Sequence, residues 1–117
     1  MGHIWVDVKL LNPLTGDGIE SRALVDTDAT FTVIPREVYE RLNLKVFGRK
    51  EVETATGLVE LDESFAVLEV KEKRGVTPIL ISEDLKDILI GTLSLEALGL
   101  AVDPTTGELK EARILLL

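Results

Sequence analysis

The chain has no cysteine and no glutamine, and only one histidine, one tryptophan and one tyrosine among its 117 residues. Each shortage removes a class of chemistry. Without cysteine there are no disulfides and no thiolate metal sites. The sole imidazole, His3, stands beside the N-terminus, so neither a Ser-His-Asp triad nor a multi-histidine zinc centre can be assembled within one chain. Positive charge is also scarce. Thirteen Lys and Arg face 21 Asp and Glu, for a net charge of -8 and a pI near 4.6. Phosphates would be repelled, which argues against nucleic acid or an anionic membrane as the partner. Long apolar runs are missing too. Pro78–Ile81 and Leu85–Leu100 are broken or flanked by Glu83, Asp84, Lys86, Asp87 and Glu96, so no segment is expected to span a bilayer. Met1–Leu11 lacks the basic-then-apolar order of a secretory signal, and a soluble cytoplasmic protein is expected. Any catalysis must rest on carboxylates, with no metal and no cofactor expected.

What remains is an ordinary globular composition, 45% hydrophobic and 29% charged. Residues 1–117 are expected to form a single domain, burying roughly two-thirds of the unfolded surface. The dominant period is two. Ile4, Val6, Val8 and Leu10 alternate with Trp5, Asp7 and Lys9 as in a half-buried strand. A turn at Asn12-Pro13 and Gly16-Asp17-Gly18 leads to a strand over Ile19–Asp26, apolar throughout at Ala23-Leu24-Val25. Phe31–Ile34 is a short apolar run. Pro35 suits the first position of a helix whose Arg36–Leu42 carries Val38, Tyr39 and Leu42 on one face. Lys45–Thr54 and Leu58–Glu72 read as a long hairpin, followed by a charged turn at Lys71–Gly75. Strands over Val76–Ser82 and Ile88–Ile90, a helix over Ser94–Leu98 capped by Gly99, and closing strands over Leu100–Asp103 and Glu108–Leu116 complete an all-β reading with two short helices. Leu24-Val25-Asp26 is echoed by Leu89-Ile90-Gly91. Trp5 and Tyr39 are expected to pack in the core or an interface.

The segment with chemical content is Ala23–Pro35. An apolar strand that ends on Asp26 delivers a carboxylate where core meets cleft, where partial desolvation raises a carboxylate's pKa. Asp26 and Asp28 also suit a plain turn. The order of Leu24-Val25, Asp26-Thr27-Asp28-Ala29, Thr30 and the following apolar pair resembles the active-site motif of retropepsin-like aspartic proteases. Ile19 to Leu116 follows that family's order: a hairpin with a glycine tip at Glu51–Leu61, then Ile88-Leu89-Ile90-Gly91 and a helix, then Leu98-Gly99-Leu100, Asp103-Pro104 and Gly107. The resemblance implies a closed β-barrel-type acid protease domain that works as a homodimer on peptide or protein substrates. Asp26 from each protomer would form a catalytic dyad that activates water. Thr27 would brace the two loops, Thr54, Ala55, Thr56, Gly57 and Leu58 would form the flap tip over substrate, and Gly91 would pack under the active-site loop. Ile4–Val8 and Ile114–Leu117 would lie near the protomer interface. One position departs from the motif: Asp28 stands where the family has glycine, placing four carboxylates about the two-fold axis. That substitution leaves room for an inactive relative that binds a peptide or partner. Two other motifs overlap the same residues. Asp26-Thr27-Asp28-Ala29-Thr30 resembles the first motif of Mg²⁺-dependent haloacid-dehalogenase-like phosphatases, with Asp84 and Asp87 as distal ligands. Asp26, Asp28, Thr30 and Glu37 also fall at calcium-loop positions, but Phe31 replaces the required glycine and Pro35 interrupts the loop.

Overall fold

A computed structural model describes residues 4–116, and within them the period-two segments become strands. The elements run β1 (Ile4–Leu11), β2 (Gly18–Val25), β3 (Thr32–Pro35), α1 (Arg36–Arg41), β4 (Gly48–Thr54), β5 (Gly57–Val70), β6 (Lys73–Ser82), β7 (Ile88–Ile90), α2 (Thr92–Leu98), β8 (Leu100–Val102) and β9 (Leu109–Glu111). The main sheet has the order β1-β2-β7-β3-β6-β5-β4. A further antiparallel pairing, Lys9↔Glu69 to Leu11↔Val67, joins β1 to β5 and closes six strands into a barrel. Closure leaves β4 outside, paired with β5 alone among the described strands. The protein is therefore all-β with two short helices, in a closed barrel.

Alternation explains the core. Val8 and Leu10 of β1, Ala23 and Val25 of β2, Ala66, Leu68 and Val70 of β5, and Ile88 and Ile90 of β7 all turn inward and are buried. Leu42, Leu95 and Leu98 cap the interior from the two helical regions. Asn12 is buried at the first turn and is satisfied on both ends. Its Nδ2 donates to the carbonyls of Leu42 and Asn43 at 3.0 Å, and its Oδ1 accepts from the N–H of Leu14 at 2.8 Å. The turn is thereby tied to the end of α1.

Three sequence expectations shift. The hairpin's first strand begins at Gly48 instead of Lys45, because Lys45–Phe47 arches over β5: Ser64 Oγ donates to the Lys45 carbonyl and the Phe47 N–H donates to the Glu63 carbonyl at 2.8 Å. The charged turn is only Lys71-Glu72. Both residues are left-handed, with φ of 50° and 65°, the geometry whose twist suits a two-residue hairpin loop, so β6 starts at Lys73. The closing strand is short: β9 ends at Glu111, and the Ala112 N–H donates to the Gly99 carbonyl at 2.7 Å before Ile114, Leu115 and Leu116 emerge exposed. Leu117 and His3 lie outside the described residues. Of the two places expected for Trp5 and Tyr39, core or interface, Tyr39 packs against the core, whereas Trp5 is 43% exposed on this chain, with the Arg22 guanidinium 5.2 Å from its ring centre.

The small β8–β9 sheet has its own pH response. Lys73 hydrogen-bonds Glu111 at 2.6 Å and holds that carboxyl below the usual range, while the Thr105 N–H does the same for Asp103 at the turn. A carboxylate with a depressed folded pKa stabilises above its unfolded pKa, and the contribution is lost as pH falls through the folded value. The protection of the amides in Val102–Leu109, taken relative to the intrinsic exchange rate at each pH, should therefore fall as the pH drops through and below the ordinary carboxylate range, before that of the barrel amides. Both groups are exposed, so the effect is small and weakens with added salt.

Candidate active site

The chain leaves β2 after Val25, loops through Asp26–Phe31, and returns as β3 without pairing to β2. The gap between those strands is filled by the distant β7, which runs parallel to β2 in the register Ala23↔Ile88, Leu24↔Leu89, Val25↔Ile90. The sequence echo is thus a real juxtaposition: two like strands side by side, ending on Asp26 and Gly91. The Asp26 N–H donates to the Ile90 carbonyl at 2.9 Å, extending the ladder by one residue. The Asp26 carboxylate then organises its own loop, with Oδ1 accepting from the Asp28 N–H at 3.0 Å and the Asp26 carbonyl accepting from the Ala29 N–H at 3.1 Å. This is an Asx-type turn in which one carboxylate oxygen is engaged. Asp26, Thr27 and Ala29 are half-buried at the loop surface, and Asp28 is exposed beside them.

The loop's far side is fixed by the start of α2. The Thr92 N–H donates to the Ala29 carbonyl at 2.9 Å and the Leu93 N–H to the Thr30 carbonyl at 3.0 Å. Such close backbone approach demands a glycine before the helix. A Cβ on Gly91 would lie 2.5 Å from the backbone C and O of Phe31 and 2.7 Å from the Thr30 carbonyl oxygen. Beneath Gly91 runs a buried hydroxyl chain. The Gly91 N–H donates to Thr32 Oγ1 at 3.1 Å, Thr32 shares a 2.6 Å bond with Ser94 Oγ, and Ser94 shares a 2.7 Å bond with Thr77 Oγ1. Strands β3 and β6 and helix α2 are pinned together directly under the loop. Ser94→Ala should leave Thr32 and Thr77, both buried, short of a partner and cost about 1–3 kcal/mol. Denaturant unfolding checks this; a loss below about 0.5 kcal/mol would show that the chain is dispensable.

A second face accompanies the loop. Ala23, Val25, Thr32, Ile34, Ile88 and Ile90 point into the core, so the intervening Leu24, Val33 and Leu89 point to the opposite side, where they are half-buried. Register pairs join them as Leu24↔Leu89 and Val33↔Leu89, and Val33↔Leu80 carries the same face onto β6. It continues through Glu63 to Leu61 and Val59 of β5, and through Val59↔Val52 and Leu61↔Lys50 to β4. Lys50 binds Glu63 at 3.4 Å, and its ammonium lies 6.0 Å from the Phe31 ring centre, so the base of the β4–β5 hairpin reaches the Asp26 loop. A surface that is apolar except at the Lys50–Glu63 pair therefore runs from beside Asp26 out along the hairpin. Leu24, Val33 and Leu89 fall within the motif segments, but the sequence reading gave them no role at the site, and Val52, Val59 and Leu61 lie outside those segments. The available signal was that Leu24, Val33 and Leu89 sit in strands apolar on both faces, which implies two apolar surfaces to cover.

The hairpin tip, Thr54–Leu58, stands beyond the last β5–β6 pair, Asp62↔Ile81. Thr54 Oγ1 donates to the Gly57 carbonyl at 2.8 Å across the turn, Gly57 takes a positive φ of 127°, and Leu58 is 63% exposed. The hydrogen bonds of the Thr54 and Thr56 side chains stay within the hairpin turn itself. Asp28 needs no glycine conformation, because the only described non-glycine residues with positive φ are Asn43, Lys71 and Glu72. Among the described residues no group of three or more His, Cys, Asp or Glu converges on a point that could hold a cation. The phosphatase reading also needs a parallel sheet with a helix after nearly every strand, whereas this barrel has two helices of six and seven residues.

A strand-to-strand loop that opens on Asp26, wedged against a glycine that follows an inserted parallel strand, with a hairpin projecting from the same barrel, defines a retropepsin-like acid protease fold. The aspartyl protease family model matches residues 12–93, and the chain belongs to that family, with a retropepsin-like fold. Among solved structures the barrel is similar to EIAV protease complexed with the inhibitor HBY-793, with a TM-score of 0.69 and 19% identity over 84% of this chain and 89% of that one. No curated protein matches. No described helix is long and apolar enough to cross a membrane.

Proposed function

We propose that this chain is an aspartic endopeptidase, one domain over residues 1–117, whose active site forms between two copies. The observation that carries the reading is the held loop: Asp26 is fixed by the ladder bond to Ile90 and by the wedge at Gly91, beside the half-buried apolar face of Leu24, Val33 and Leu89. One chain supplies one such carboxylate. On a two-fold axis the two Asp26 side chains share a proton, because two carboxylates about 3 Å apart cannot both ionise. The ionised member takes a proton from the bridging water as it attacks the scissile carbonyl, and the protonated member donates to the carbonyl oxygen. The carboxyl that took the water's proton then gives it to the leaving nitrogen, the other carboxylate takes a proton back from the diol, and the C–N bond breaks to release the acid and the amine. Thr27 braces the paired loops, and Thr54, Ala55, Thr56, Gly57 and Leu58 of each chain close over the peptide, with the apolar face receiving its side chains. The exposed Ile114, Leu115 and Leu116 and the open end of β1 at Ile4–Val8 are apolar surfaces that pairing with a second copy would cover.

Asp28 favours a second reading, a binding domain that has lost catalysis. Its backbone is unstrained in one chain, so its cost falls at the dimer axis, where two more carboxylates must be accommodated. Cleavage of a mixed peptide library across about pH 3–8, read by mass spectrometry, separates the two. We expect cleavage by the chain as it stands, weighted to acid pH, and a rate higher at neutral pH for Asp28→Gly. Cleavage only after Asp28→Gly would show that the chain as it stands is an inactive form, and no cleavage by either form would overturn the protease reading.

A further inference from the structure

The β4–β5 hairpin leaves the barrel at one residue. Asp62 is the last position of β5 paired on both sides, to Arg49 of β4 and to Ile81 of β6; beyond it Gly57–Leu61 pair with β4 alone. Its carboxylate is held from both directions. Arg49 on the hairpin reaches Asp62 Oδ1 at 3.3 Å, and Arg36, the first residue of α1, reaches Oδ2 at 3.3 Å. Arg36 is in turn fixed by Glu83 in the β6–β7 loop, whose Oε2 accepts from Arg36 Nε at 2.7 Å, and by the Tyr39 ring, whose centre lies 5.0 Å from the guanidinium. Arg49 also binds Glu60 at 3.1 Å, two residues further out along the hairpin. Five charged groups from the hairpin, the helix and a barrel loop thus form one chain, Glu60–Arg49–Asp62–Arg36–Glu83, with its shared acid at the fork.

The groups differ in their burial. Asp62 has 25% of its side chain exposed and Arg36 34%, whereas Arg49, Glu60 and Glu83 are exposed by more than half. The central pair is therefore the least screened by solvent. Glu83, then Asp62, hold the Arg36 guanidinium pKa above its ordinary value. Beyond the fork the hairpin pairs with no other described strand, and its Lys50 contact to Glu63 and Phe31 lies on the other face. Two charge contacts on opposite faces at the hairpin base constrain its tilt.

We infer that Asp62 is a positioning residue that sets the angle of the hairpin over the site, with Arg36 as its anchor on the barrel, so that flap opening is governed by ion pairs at the hinge. This rests on the hairpin acting as the flap of the proposed protease. Backbone exchange, which needs no catalysis, tests the positioning separately. In the full-length chain, Asp62→Asn should raise hydrogen exchange of the amides in Lys50–Leu61 by about two- to fivefold at low salt, with the β1, β2 and β7 amides unchanged. Arg36→Gln, which leaves the Arg49–Asp62 pair in place, should act in the same direction, and Asp62→Glu should restore most of the protection. Raising NaCl from about 0.05 M to about 1 M should quicken exchange in the parent chain and have little effect on Asp62→Asn. For peptide cleavage the expected signature is a raised KM with a smaller change in kcat, because the hairpin clamps substrate and carries no reacting group. Unchanged hairpin exchange in both Asp62→Asn and Arg36→Gln would overturn the inference, as would faster exchange spread evenly over the barrel. Failure of peptide cleavage alone would remove the protease reading and leave the hinge standing on the exchange data.

Discussion

Asp26→Asn is expected to lower peptide cleavage by about 10²–10⁴-fold while leaving the fold intact. The two halves of that expectation come from different atoms. The carboxylate must hold and release a proton, which an amide cannot do at any working pH. The structural bonds of residue 26 run through its N–H to Ile90, its carbonyl from Ala29, and a single side-chain oxygen that accepts from the Asp28 N–H. Asparagine keeps an oxygen at that position, so the turn persists. Circular dichroism and thermal unfolding of the variant should match the parent chain, and only turnover should change. A variant that cleaves at the parent rate would remove Asp26 from the mechanism; one that unfolds would show that the carboxylate is structural.

Gly91→Ala has the opposite profile, a loss of stability that carries activity with it. Gly91 has an extended backbone that any residue can adopt, with φ of -94° and ψ of 174°, so strain is not the cause. The cause is space. The added methyl would meet main-chain atoms of Thr30 and Phe31, which cannot rotate away as a side-chain tip can. Overpacking usually costs about 1–3 kcal/mol, and against backbone the upper end or beyond is expected. Relief requires the Asp26–Phe31 loop to move off α2, which breaks the bonds from Thr92 to Ala29 and from Leu93 to Thr30 and shifts Asp26 from its seat. Denaturant unfolding should show the stability loss, and cleavage should fall further than stability alone explains. Parent-like stability in the Gly91→Ala variant would mean that the loop and α2 are not in contact at this point.

Much of the site was legible in the sequence because it is local. Asp26-Thr27-Asp28-Ala29 follows an apolar strand, Thr54–Leu58 tips a long alternating hairpin, and Gly91 ends a short apolar strand before a helix; the structure puts each on the expected element and brings the loop and Gly91 together. What stayed hidden is set by long-range geometry. The partnership of Leu24 with Leu89 depends on β7 being inserted between β2 and β3, and nothing at either position distinguishes a residue facing a cleft from one facing the core. The Lys71-Glu72 turn carries no Gly, Asn or Asp at its left-handed positions, so the usual turn signal is absent there. The tail after Glu111 reads as apolar strand by composition, yet among the described residues it has no partner strand within this chain, and burial needs a partner before alternation can make a strand. The hinge ion pairs join residues 26 and 47 positions apart in sequence, beyond any local pattern.

The central claim is that two chains build one active site, and subunit mixing tests it most directly. Active chain is held at a fixed concentration at which pairing is saturated, and the Asp26→Asn chain is added in increasing amounts. If each site needs Asp26 from both copies, mixed pairs are silent, and cleavage falls to about half at equal amounts and about a tenth at ninefold excess. Cleavage that stays constant as inactive chain accumulates would contradict the claim, because it would mean that each copy carries a complete site of its own.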